Sequence, residues 1–443
     1  MSLVSKRNIY RFVMRKRLAA VSATARELSS CQNRAAIEAF QVRKFNETWC
    51  DAWRNVPFYD CWRRQYGLPE TIKDLGELTN WPILTKSDLR DLGKFERKDE
   101  PRPTGWIMTG GSTGEPVRLP TWGDPISGAQ QVYARMAYGI EPGDRTFLLW
   151  GHEHLYGKGW RRTVNIYKRR MKDWLADWTR VSAYDLSAEA MHAAYSRFAK
   201  CRPKFVIGFS PAVLAFVRWN RGHEGEVSGV SAVLCTAGPL SEYEKSGIEH
   251  FFGARVCMEY GSVECGLMAH TRPSDGNYFV FWNTRLLQAD KQGEGQYRNL
   301  VTRLTRTYVP LIRYDIGDYL ELNPNEDDNS ARSVLVAKSI IGRPSEMITF
   351  HSGVSFFGAL VGDCVKQVSE VIASQIAVDE EHDKLEIRVT ASCRLSQEKL
   401  EVIENRFRLT VANAEKIDIR VSQVDSLTTT AGGKTPRVVR LNQ

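Results

Sequence analysis

The sequence has no Cys-x-x-Cys pair, and its cysteine count is odd: nine, scattered at 31, 50, 61, 201, 235, 257, 265, 364 and 393. That pattern excludes a zinc ribbon and a disulfide-framed fold, and it fits reduced thiols in the cytoplasm. There is no run of about 18 apolar residues, so no membrane-spanning helix is predicted. The opening MSLVSKRNIYRFVMRKRLAAV lacks the apolar stretch of a secretory signal. Acid is also missing from the first 17 residues, which carry Lys6, Arg7, Arg11, Arg15, Lys16 and Arg17. Such a segment reads as a solvated helix face, with a membrane-surface or nucleic-acid arm as the other options. Neither an internal repeat nor a low-complexity tract is found, which sets aside solenoids and disordered chains.

What is present is the composition of a globular protein, with 42% hydrophobic and 26% charged residues in a chain of 443. That length predicts two or three domains. A net charge of +9 suits nucleic acids, acidic membranes or polyanionic small molecules such as nucleotides. Residues 1 to about 70 read as a helical lead-in, with Pro57 the first strong breaker. From about 105 to 340, short apolar runs end in Gly-bearing loops: RTFLLWG (145–151), KFVIGFS (204–210), VSAVLCTAG (230–238) and ARVCMEYG (254–261). These predict buried strands of an α/β sheet. After the polar, turn-rich stretch 323–333 the pattern simplifies. KLEIRVT (384–390) and IDIRVSQV (417–424) alternate like strands around a helical 396–411 with Ser396 at its N-cap. The expected fold is therefore α/β: a large multi-sheet N-terminal domain, 1–341, and a small α+β domain, 342–443.

Four stretches carry chemistry. TGGSTGEP (109–116) can converge backbone N–H groups and hydroxyls on an anion, but Glu115 and Pro116 break the Walker pattern. GFSPA (208–212) imitates a hydrolase elbow, yet Pro211 has no N–H for an oxyanion hole; Ser210 as a helix N-cap is the better reading. EYGSVECG (259–266) sets a ring and the Glu264 carboxylate at a strand end, where magnesium with substrate phosphates can bind. PLIRYDIGD (310–318) ends in an aspartate able to accept from ribose hydroxyls. Taken singly, each is also an ordinary turn.

Their order is more telling. TGGSTGEP, EYGSVECG, RYDIGD, IIGRPSEM (340–347) and GGKTPR near the end together resemble the adenylate-forming superfamily, and within it the phenylacetate–CoA ligase-like family with its CapK-type polysaccharide-biosynthesis relatives. The resemblance covers roughly 50 to 440. It implies ATP-dependent activation of a carboxylic acid, aromatic acids included, to an acyl-adenylate, followed by acyl transfer to coenzyme A. Implied alternatives are an amine or hydroxyl acceptor, such as a sugar, or a non-catalytic nucleotide-binding homologue. No nucleic-acid partner is expected.

The same resemblance implies that Thr109, Gly110, Gly111, Ser112, Thr113 and Gly114 wrap the outer phosphates of ATP. Glu264 would hold Mg2+. Tyr260, Gly261 and Ser262 would line the adenine and the reacting carboxylate, with Gly238, Pro239 and Glu259 in the same nucleotide pocket. Asp318 would hold the ribose, and Arg343 would reach the nucleotide from the hinge. Lys434, on the small mobile domain, would be the catalytic lysine. Gly238 stands where relatives often carry glutamate, and the hinge reads GRPSE rather than Gly-Arg-x-Asp-Asp. His152, His154 and Tyr156 fall near the expected acyl pocket. The acid-free stretch 157–172 reads as a solvated helix face, or as a contact for coenzyme A phosphates or nucleic acid.

Overall fold

The structure, a computed structural model, describes residues 6–99, 101–108, 117–150, 159–183, 188–293, 296–323, 332–342, 347–358, 361–365, 368, 370–411, 413–429 and 435–441. The chain divides into two compact units: Met1–Phe12, Tyr138–Cys257 and Arg343–Gln443 form one; Val13–Ala137 and Met258–Gly342 form the other. The segments 109–116, 151–158 and 343–346, together with Lys434, lie outside the described residues. With them go the expected phosphate loop, the acyl-pocket histidines, Arg343 and the expected catalytic lysine.

In the first unit three of the expected strands, joined by Trp178–Val181, which the sequence reading did not anticipate, form a parallel array in the order Trp178–Val181, Thr146–Leu149, Phe205–Phe209, Ala232–Thr236. Parallel neighbours need crossover connections, which the helices Gly159–Ala176, Ala188–Cys201 and Ser210–Trp219 supply. Alternation along each strand sorts the side chains to two faces. Leu148 joins Phe205, Ile207 and Leu234 in one cluster. Its neighbour Phe147 meets Phe198 and Phe216 instead, and Phe216 stacks on Phe252. Gly208 is required at its strand end, because a Cβ there would meet Val213 Cγ2 at 2.5 Å.

Residues 371–440 of this unit build their own sheet, ordered Asp418–Gln423, Lys384–Ala391, Val371–Asp379, Val438–Arg440. The helix Gln397–Thr410 covers it, burying Ile403 and Phe407 among Ile376, Ile387 and Val389. The short last strand pairs parallel to Val371–Asp379. Arg440 further ties that strand to Glu380 through Nε at 3.0 Å and Nη2 at 3.1 Å.

The second unit starts with the helical lead-in expected from the sequence: Arg15–Ser30, Arg34–Asn55 and Pro57–Tyr66. Asn33 caps the middle helix by accepting from Ala36 N at 2.9 Å, and Pro57 sits at the start of the last one, where a missing N–H costs nothing. The helix Pro125–Met136 packs on Arg15–Ser30 and on the strand Gly266–Thr271. Four antiparallel strands, Arg285–Gly293, Gln296–Arg303, Tyr314–Glu321 and Ser339–Gly342, form one sheet in that order. The strand Arg255–Ser262 enters this unit at Met258 and hairpins into Gly266–Thr271, which pairs on to Tyr278–Val280. Among the described residues, no helix is long and apolar enough to cross a membrane.

Candidate active site

The hairpin between Arg255–Ser262 and Gly266–Thr271 carries five of the expected site residues. Its register shifts between Tyr260 and Gly261. The shift brings the strands so close that a Cβ on Gly261 would meet Gly266 O at 2.6 Å; only glycine fits. Ser262 Oγ accepts from Cys265 N at 3.0 Å and closes the turn. The loop thus holds Glu264 at a fixed place rather than on a swinging tip.

The Tyr260 hydroxyl donates to Asp318 Oδ2 at 2.9 Å and accepts from Asn299 Nδ2 at 3.0 Å. Burial, and then the Asp318 charge, push the phenol well above its ordinary pKa, so it stays a donor. Two residues expected from separate motifs, Tyr260 and Asp318, are therefore joined directly. Glu264 is buried, and its Oε1 accepts from the Tyr314 hydroxyl at 3.3 Å. Glu259 is taken up in an ion pair, with Arg135 Nε at 3.1 Å and Nη2 at 3.3 Å from its two oxygens. Burial raises the Cys265 thiol to about 12, which leaves it inert at neutral pH.

Sequence reasoning missed what fixes this loop. Arg285, fully buried, donates from Nε to Cys265 O at 2.7 Å and from Nη2 to Asp124 Oδ2 at 3.0 Å. Arg303 donates to Glu264 O at 2.9 Å and to the same Asp124 oxygen at 2.8 Å. Asp124 also caps Pro125–Met136, accepting from Ser127 N at 2.9 Å, and Ser127 Oγ accepts from Leu267 N at 2.7 Å. Two cations and one shared carboxylate thus hold the consecutive carbonyls of Glu264 and Cys265. Gly266 has φ +69°, and a Cβ there would lie 2.8 Å from Arg285, Asp124 and Ser127 alike. No motif in the sequence marks this clamp: Asp124, Arg285 and Arg303 each read by composition as ordinary polar residues.

In the other unit, Gly238 and Pro239 follow the strand Ala232–Thr236. Ala237 takes a positive φ of 64°. Ser210 is not the helix cap expected from the sequence: the N-cap is Phe209. The Ser210 hydroxyl donates instead to Gly238 O at 2.7 Å and Thr236 O at 3.2 Å, pinning this turn. Pro211, lacking an N–H, takes an early helical position, as argued against a hydrolase elbow.

Among the described residues, no group of three or more His, Cys, Asp or Glu side chains could hold a metal ion. Glu264 offers one hard oxygen donor set. That suits Mg2+, which usually takes one or two carboxylates and completes its shell with waters and substrate phosphates.

The fold is that of the adenylate-forming ligases: 2-hydroxyisobutyryl-CoA ligase in the postadenylation state with R3-HIB-AMP matches over 92% of this chain and 90% of that one, with a TM-score of 0.69 at 17% identity. The amide bond synthetase McbA from Marinactinospora thermotolerans matches over 76% and 68%, with a TM-score of 0.51 at 12% identity. No family model matches the sequence. Protein CapK of Staphylococcus aureus is 23% identical over 312 residues, 70% of this chain and 68% of CapK. The chain is thus similar in sequence to CapK and has the fold of the adenylate-forming ligases.

Proposed function

We propose that this protein activates a carboxylic acid with ATP, forming an acyl-adenylate and releasing pyrophosphate, and then passes the acyl group to coenzyme A. The observation that carries the reading is the direct Tyr260–Asp318 hydrogen bond beside the clamped Glu264 loop, in a chain with this ligase fold. In this reading Asp318 accepts from the ribose hydroxyls while Tyr260 fixes its orientation. Gly261 and Ser262 line the adenine and the acid, and Gly238 and Pro239 are assigned to nucleotide binding. Glu259 supports the strand through Arg135.

Glu264 would hold Mg2+, which supplies charge neutralisation at the phosphates when bound. Thr109 to Gly114 give backbone and hydroxyl donors to the outer phosphates. Arg343 and Lys434 supply positive charge where negative charge develops on the α-phosphoryl oxygens as the carboxylate enters, which favours the transition state over the ground state. Residues 342–443 act as a small mobile domain after a boundary at 341, so that Lys434 can enter for adenylation and withdraw for transfer. The protein works in the cytoplasm.

A second reading keeps the first half-reaction and changes the acceptor to an amine or hydroxyl. The shared fold with an amide bond synthetase favours it. Acid-dependent exchange of labelled pyrophosphate into ATP, across a panel of organic acids with magnesium present, tests the adenylation. Absence of exchange with every acid overturns it. Product mass with coenzyme A against amino-sugar acceptors then separates the two transfers.

A further inference from the structure

The helix Gly159–Ala176 is turned the wrong way round for a globular protein. An amphipathic helix ordinarily lays its apolar stripe on the core. Here Trp160, Val164, Tyr167, Met171 and Trp174 recur at spacings of four and three, and they are 73%, 37%, 66%, 67% and 64% exposed. At 100° per residue the five fall within about 80° of arc, and they span about 21 Å of helix. The opposite side is the one that packs: Ala176 is fully buried, and Asp173 is buried in a two-pronged pair with Arg180 at 2.9 and 3.0 Å. Since Asp173 is the helix's one acid, no negative charge is left on its outward side.

Basic residues border the stripe. Lys168 and Lys172 stand on one side and Arg170 on the other, all exposed. The helix sequence holds six basic residues in all. Lys6, which opens the helix Lys6–Val13, meets the end of the stripe: its Nζ lies 5.2 Å from the Trp174 ring centroid and pairs with Asp177 at 2.8 Å. That helix adds exposed Ile9 and Phe12.

We propose that Gly159–Ala176 is an interfacial helix that lies in the headgroup layer of a bilayer containing anionic lipid. A rigid apolar stripe with indole and phenol rings, bordered by cations, matches the boundary between acyl chains and negative headgroups. A second copy of the helix fits less well. The stripe is only about two heptads long, and pairing it with itself sets cationic borders against each other. Single-stranded nucleic acid would use the rings and cations but gain nothing from Val164 and Met171.

The test uses the full chain sedimented with vesicles of phosphatidylcholine, alone or mixed with phosphatidylglycerol. Binding is expected on the anionic vesicles, weakening as salt rises. Tyr167→Ser with Met171→Ser should reduce partitioning about tenfold per side chain. Lys168→Glu with Arg170→Glu and Lys172→Glu should reduce it on the order of 100-fold. Both variants should keep the wild-type melting temperature and pyrophosphate exchange, because the altered side chains are exposed. Equal or absent binding to the two vesicle types overturns the proposal. So does a wild-type dimer that Tyr167→Ser with Met171→Ser splits, tighter binding to a single-stranded oligonucleotide than to vesicles, or a raised KM for coenzyme A in the charge variant with unchanged vesicle binding.

Discussion

Replacing Asp124 with alanine tests whether the Glu264 loop is held electrostatically. The Asp124 carboxylate is the shared partner of Arg285 and Arg303, whose side chains are 0% and 9% exposed. Removing one partner of a buried ion pair costs about 3–5 kcal/mol, because the remaining charge is left uncompensated. Asp124 itself is 21% exposed, so water can reach the site and the lower end of that range applies. The lost N-cap on Pro125–Met136 adds about 1 kcal/mol. The sum, about 4 kcal/mol, is a large share of the ~5–15 kcal/mol that holds a typical domain together. Asp124→Asn keeps a competent cap but removes the charge that Arg285 and Arg303 share, so it should cost about 3 kcal/mol. The assay is the urea midpoint at constant slope, alongside pyrophosphate exchange well below the melting temperature. Exchange should fall in both variants, more in Asp124→Ala, since the carbonyls of Glu264 and Cys265 lose their fixed donors. An alanine variant within about 1 kcal/mol of wild type, or an asparagine variant as stable as wild type, would refute the electrostatic clamp.

Tyr260→Phe removes the hydroxyl that donates to Asp318 and accepts from Asn299; we expect a loss of about 1–3 kcal/mol and a raised KM for ATP, read from exchange kinetics. Lys434→Ala should slow adenylation by about 100-fold or more with an unchanged melting curve; near-wild-type exchange would remove the lysine from the chemistry. His270 is buried against Phe281, with Nδ1 on Thr271 O and Nε2 unpartnered, and burial lowers its pKa to about 4. Its unfolded form takes a proton near pH 6.5, so stability is full above that and falls by up to about 3 kcal/mol as pH drops towards 4. His270→Phe should flatten that part of the pH–stability curve; an unchanged slope would mean that other groups set it.

The strands and helices were readable because their signals are local. Apolar runs ending in glycine gave three strands of the parallel array but not the half-exposed edge strand Trp178–Val181, and alternation around a helical stretch gave the C-terminal sheet, whose strands Lys384–Ala391 and Asp418–Gln423 fall where expected. The pairing of Tyr260 with Asp318 could be foreseen only through family resemblance, since 57 residues separate them and no propensity links the two. The clamp shows what neither route reaches. Asp124, Arg285 and Arg303 lie in three unrelated stretches of sequence, and none belongs to a motif. Each is polar, and each would read as surface by composition. What makes them a unit is a geometric demand: a loop with a glycine at 261 and a left-handed glycine at 266 turns two successive carbonyls inward, and buried carbonyls must be satisfied. Guanidinium forks satisfy them, a buried guanidinium needs a carboxylate, and a carboxylate at a helix start serves as its cap as well. The substitutions that a motif search would pass over at 124, 285 and 303 should therefore damage the Glu264 site as much as changes to the motif residues themselves.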